Sequence, residues 1–179
     1  MTKYVRSYAL WGSSIFVALL LGGCQAQQQV RSEYSMGERV QVGQLTYSVI
    51  ESAWRTQLGD SFKVRTPEQR FLLIKLSVTN GTGKDISVPL LTLEGTNGQM
   101  YREIADGNGV VNWFGLLRTI NQGQTQQGNI LFDVPLTSYK LRVPDINDTG
   151  FDTYASIQIP LRMDAEVPIQ TPTDPDVLK

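Results

Sequence analysis

The chain of 179 residues carries 16 Lys and Arg against 17 Asp and Glu, a formal charge of −1, with one Cys and no His. A near-neutral balance leaves no basic surplus to hold nucleic acid. The lack of His removes the commonest general base and metal ligand, and a lone Cys forms no disulfide within the chain.

Residues 1–23 read as a targeting segment. Lys3 and Arg6 precede an apolar run at 9–21. That run is short of the ~20 residues of a membrane-spanning helix and has the length of a signal-peptide core. It closes on Leu21-Gly22-Gly23-Cys24. This ending resembles the bacterial lipobox. The resemblance implies diacylglyceryl transfer to the Cys24 thiol, cleavage before Cys24 and acylation of the new amino group. An ordinary secretory signal or a retained signal anchor would leave unexplained why the only Cys stands at this point. Taking 23 of the 179 residues away leaves 156, enough for one domain. Losing Lys3 and Arg6 moves the formal charge from −1 to −3. Two or three acyl chains would hold the protein stably to a membrane, at about 0.8 kcal/mol per buried methylene.

Residues 24–36 are polar, Gln-rich and aperiodic, the pattern of a flexible tether behind the lipidated Cys. Gln25 does not match the Asp of the inner-membrane retention signal, which favours the outer membrane in a double-membraned cell.

From residue 37 to 162 the period becomes two. Val40 and Val42 alternate with polar residues, as do Leu45, Tyr47 and Val49, and the phase slips at Ile50, where a bulge or a strand end is expected. Residues 57–68 read as a surface loop. Leu72, Ile74, Leu76 and Val78 share one face of the strongest strand, which ends at Asn80-Gly81, a dipeptide suited to the positive φ angles of a tight turn. Residues 84–93 read as one strand with Pro89 at an edge or bulge. Asn97-Gly98 is a second turn, leading to Met100-Tyr101-Arg102. Strands follow around Ile130, Phe132 and Val134, around Tyr139, Leu141 and Val143, and around Ala155, Ile157, Ile159 and Leu161. Residues 163–179, with Pro168, Pro172 and Pro175 among acidic side chains, read as a disordered tail. Seven or more short strands and no helical period after the signal predict an all-β fold, an antiparallel β-sandwich.

Gly37-Glu38-Arg39-Val40, residues 71–80, residues 93–101 and residues 128–135 together resemble the telokin-like, Ig-like extracellular domains of bacteria, a fold shared by secreted mycobacterial immunoprotective antigens. The resemblance implies an Ig-like sandwich on a secreted or lipid-anchored chain and no assigned activity. The chain departs from that pattern at residues 106–119 and in the strand near Ile157.

No nucleophile elbow, Ser-x-x-Lys or phosphate-cradling Gly loop occurs. No catalytic residue, cofactor or metal site is therefore expected, and the chain reads as a non-enzyme. A hydrolase would have to use a carboxylate pair, and Asp60, Glu68, Glu94 and Glu103 sit where solvated charges belong. Asp145, Asn147, Asp148 and Asp152 cluster oxygens as a calcium or small-ligand site requires, but in a spacing unlike the EF-hand and ordinary for turns. Arg55, Lys63, Arg65 and Arg70 form a small basic stretch around the first loop. The distinctive segment is 110–117, where Val110, Val111, Trp113, Phe114 and Leu116 lie between glycines without strand alternation. Either it plugs one end of the sandwich or it offers Trp113 and Phe114 to a partner. The expected function is a binding module of the cell envelope, held to the membrane through lipid on Cys24, facing an envelope protein or cell-wall partner.

Overall fold

The strand Phe71–Asn80 sets the architecture. Its alternation places Leu72, Ile74, Leu76 and Val78 on one face, all fully buried, and neighbouring strands cover both of its edges. The computed structural model describes residues 33–60, 62–147 and 153–162. Thirteen strands run through the described residues: β1 Glu33–Ser35, β2 Val40–Val42, β3 Leu45–Arg55, β4 Leu58–Gly59, β5 Val64–Arg65, β6 Phe71–Asn80, β7 Ile86–Val88, β8 Thr92–Gly95, β9 Met100–Arg102, β10 Arg118–Ile120, β11 Thr125–Asp133, β12 Tyr139–Pro144 and β13 Tyr154–Ile159. None of these residues is helical, so no helix among them is long and apolar enough to cross a membrane.

Two sheets make an all-β sandwich. One orders β11-β6-β3-β2, the other β1-β13-β12-β8-β9. Between them lies a single apolar layer, with Tyr47, Val49, Ile74, Ile130 and Phe132 from the first sheet and Leu93, Leu141, Val143 and Ile157 from the second. Tyr139 meets Tyr101 edge-on at 5.6 Å and Trp54 at 6.3 Å between ring centroids. A second, smaller cluster of Leu58, Phe71 and Leu131 forms on the outer face of the first sheet.

The expected register slip is present as a bulge between Val49 and Glu51 in β3. The Asn97-Gly98 turn is also present: Gly98 has φ 78° and joins β8 to β9. Other elements differ from expectation. Glu33–Ser35, placed in the tether, pairs in parallel with β13, so the sandwich carries one parallel edge strand rather than being wholly antiparallel. The 57–68 loop contains the β4–β5 ribbon, closed over the outer cluster by buried Leu58. The strand read at 84–93 is broken at Pro89 into β7 and β8, which belong to different sheets. β10 had no alternation long enough to reveal it.

Asn80-Gly81 is not a tight turn, and neither residue takes a positive φ. Asn80 is fully buried. Its Nδ2 donates to the carbonyls of Lys84 and Ile120 at 2.7 and 2.9 Å, and its Oδ1 accepts from Thr82 N and Oγ1 at 3.0 and 2.7 Å. The amide thus ties the end of β6 to the β7–β10 ribbon, and the chain leaves the sheet instead of folding back on it. The signal segment, the tail at 163–179 and Asp148 to Asp152 lie outside the described residues.

Candidate functional site

Residues 106–117 fold against the edge of β11. Asn129 anchors them on three bonds: its N donates to Asn112 O at 2.8 Å, its Nδ2 to Val111 O at 2.7 Å, and its carbonyl accepts from Phe114 N at 2.9 Å. Trp113 and Asn129 thereby form a parallel bridge. Gly128 makes the approach possible, because a Cβ there would lie 2.6 Å from Phe114 Cα. Asn112 turns the chain at φ 50°, a left-handed angle that Asn tolerates better than most residues.

The segment divides its side chains. Phe114 is 3% exposed and joins the main core, with the Arg118 guanidinium 5.1 Å over its ring. It is therefore corrected from a candidate partner-binding residue to a core plug, seated against Gly128. Val110 packs on the outer cluster. Val111, Leu116 and Leu117 are 74%, 45% and 94% exposed. Trp113 is half-buried. Gly107 lies over its indole, where a Cβ would come within 2.0 Å of Cδ2, and its Nε1 has no hydrogen-bond partner in the protein.

Beside Trp113 opens a cleft of about 400 Å³, lined by Lys75, Asn112, Gln127, Gly128 and Asn129. The polar members were not legible as a group in the sequence. Lys75 and Asn129 become neighbours only through the β6–β11 register. A larger groove of about 520 Å³ lies at the opposite sheet, between Met36, Glu94, Tyr139, Ile159 and Arg162. There Lys140 pairs with Glu33, which holds the Glu33 carboxyl below its ordinary range. Burial pushes the Tyr139 hydroxyl up to about 12, while it donates to Pro135 O at 2.7 Å.

Glu103 is not a solvated charge. Its side chain and that of Arg118 are fully shielded and meet at 2.5 Å, and Glu103 Oε2 also accepts from Leu91 N at 2.9 Å. Arg118 Nη2 donates to Pro89 O at 3.0 Å. Burial pushes the Glu103 carboxyl above its ordinary range, with Arg118 and the Leu91 N–H pulling only part of the way back. The pair joins the residue after β9 to β10 and to the 89–91 crossing, the position of a structural tie.

The basic stretch disperses. Arg65 Nη1 donates to the carbonyls of Asp106 and Asn108 at 3.0 and 3.3 Å, and Arg55 Nη1 to Trp54 O at 2.9 Å. Asp145 Oδ1 accepts from Asn147 N and Nδ2 at 2.9 and 3.0 Å, an Asx turn. No group of three or more His, Cys, Asp or Glu among the described residues is placed to hold a metal. Cys24, Leu21, Gly22 and Gly23 lie outside the described residues.

Fold and site together define a β-sandwich domain whose distinguishing surface is a pinned loop and a polar cleft. Residues 34–153 match the model of the family described as a domain of unknown function, DUF4352, and the chain belongs to that family. No curated protein matches it. The crystal structure of the yjhA protein from Bacillus subtilis is 16% identical with a TM-score of 0.54, over 70% of this chain and 98% of that one. A provisionally assigned lipoprotein from the same species, ycdA, is 16% identical with a TM-score of 0.51, over 70% of this chain and 39% of that one. The secreted protein MPT63 from Mycobacterium tuberculosis is 16% identical over 74% of this chain and 98% of that one, but its TM-score of 0.49 is too loose to bear on the fold. At such identities the first two likenesses show the fold alone.

Proposed function

We propose that the chain is a lipid-anchored binding module of the bacterial cell envelope, with no catalytic activity of its own. One observation carries this reading: Val111 and Leu117 are 74% and 94% exposed on a backbone whose Phe114 is locked in the core. Both belong to one short segment, exposed apolar surface is where contact sites form, and a buried anchor spares the ordering cost that a loose loop meets on binding. The ycdA neighbour, provisionally assigned as a lipoprotein, supports an envelope address. The lipobox-like ending at Cys24 supports a membrane anchor, and the telokin-like, Ig-like resemblance belongs to the same reading. The partner is an envelope protein or a cell-wall component.

The test places a photoreactive amino acid at Leu117 in intact cells. The expected result is a discrete crosslinked species, present when Cys24 is intact and depleted in Cys24→Ser, which no longer concentrates the domain at the membrane. The same yield of adducts from a probe at exposed Thr119, on the neighbouring strand, would contradict a specific surface at Leu117.

A further inference from the structure

The cleft beside Trp113 is chemically unlike the apolar loop that borders it. Its walls are amides and one cation: Asn112, Gln127, Asn129 and Lys75. It holds no carboxylate. The same outer sheet face continues below it in hydroxyls. Ser77 stands opposite Gln127 in the register, and Thr79 and Thr125 share a hydrogen bond of 2.8 Å. At the upper end stands the indole of Trp113, backed by Gly107 and fixed by the Asn129 bridge.

We propose that this face binds a glycan strand, with one sugar ring against Trp113 and its neighbours along the amide and hydroxyl rows. The inference rests on the reading of the domain as an envelope binding module and names its ligand class. A sugar ring presents a C–H face and a rim of hydroxyls. The indole offers a large, rigid apolar surface to that C–H face; its Nε1 is buried and unpartnered, so the ring and not the N–H is the contact on offer. Amide side chains both donate and accept, as sugar hydroxyls do. The dimensions agree: a cleft of about 400 Å³ falls within the range of about 300–1,000 Å³ typical of small-ligand sites. The open sheet face lets a polymer run beyond it. Gly107 is the positioning residue, since any side chain there would displace the indole.

The experiment uses the mature chain in detergent and three probes: protease-treated peptidoglycan sacculi, the soluble N-acetylated oligosaccharide chitohexaose, and cellohexaose, which lacks the amide. Co-sedimentation with sacculi, competed by chitohexaose, is expected. Trp113→Ala should weaken it about tenfold, the scale of losing one aromatic hot spot. Gln127→Ala, at an exposed strand position, should weaken it several-fold with the thermal midpoint unchanged, so the inference stays testable if Trp113→Ala loses stability. Competition by cellohexaose as well would support a glycan site that reads hydroxyls alone. Absence of binding to all three probes would overturn the inference, as would binding indifferent to both Trp113→Ala and Gln127→Ala. Sacculus binding that chitohexaose does not compete would also overturn it, by pointing to stem peptide. Failure here leaves the Leu117 crosslink untouched, and failure of that crosslink leaves sacculus binding untouched.

Discussion

Two buried polar groups hold the sandwich at points where apolar packing alone would not specify the path. Asn80 serves two carbonyls and two Thr82 donors from inside the core. Asn80→Ala strands those groups, and orphaned buried partners cost about 1–3 kcal/mol; chemical denaturation should show that loss with an unchanged m value. The second tie is Glu103 with Arg118. Removing one member of a buried ion pair costs about 3–5 kcal/mol, the loss expected for Arg118→Met. The pH dependence has a definite sign. Burial raises the Glu103 carboxyl in the folded state, so the fold holds that proton more tightly than the unfolded chain does. Its contribution to stability is complete below the ordinary carboxyl range and is lost as pH rises through the raised value. Without Arg118 the carboxyl rises further, so the deficit of Arg118→Met should widen from acid to neutral pH. A deficit that shrinks over that window would mean that the Glu103 carboxyl lies lower without Arg118 than with it, as when water fills the vacated space.

Among elements, the 106–117 segment shows how a loop without regular structure is fixed. It borrows the free edge of β11 through Asn129 and closes on the core through Phe114. Gly128 is where that contact is made, and a Cβ there would meet both Cα and the ring Cδ2 of Phe114 at 2.6 Å, a side chain already locked in the core. Gly128→Ala should destabilise by about 1–3 kcal/mol, as overpacking does, and should loosen Val111 to Leu117 in amide exchange. A stability unchanged within error would show that the segment is held by Asn129 alone. The sequence announced the segment as exceptional by its lack of period, but it could not assign Phe114 inward and Val111 outward. That division depends on a glycine in a distant strand. For the same reason the cleft stayed hidden: Lys75, Gln127 and Asn129 are ordinary outward positions until register brings them beside Trp113.

Across the whole molecule, local alternation was enough to foresee the all-β sandwich, because burying one face of a strand imposes period two. It recovered β6, β12, β13, the bulge in β3 and the Asn97-Gly98 turn. It failed where the chain changes sheets. Asn80-Gly81 has the composition of a hairpin turn, and only its buried hydrogen bonds show the crossing. Glu33–Ser35 is too short and polar to betray a strand, and its parallel pairing is supplied by β13. What remains to be measured is the feature on which the envelope reading depends, the anchor. Intact-mass and N-terminal peptide spectrometry of the protein extracted from membranes of its native cells decides it. The expected product is a mature chain beginning at Cys24 and carrying a diacylglyceryl thioether, with a further acyl group on its amino terminus in cells that add one. An unmodified Cys24, or a chain that begins at any other residue, would contradict it.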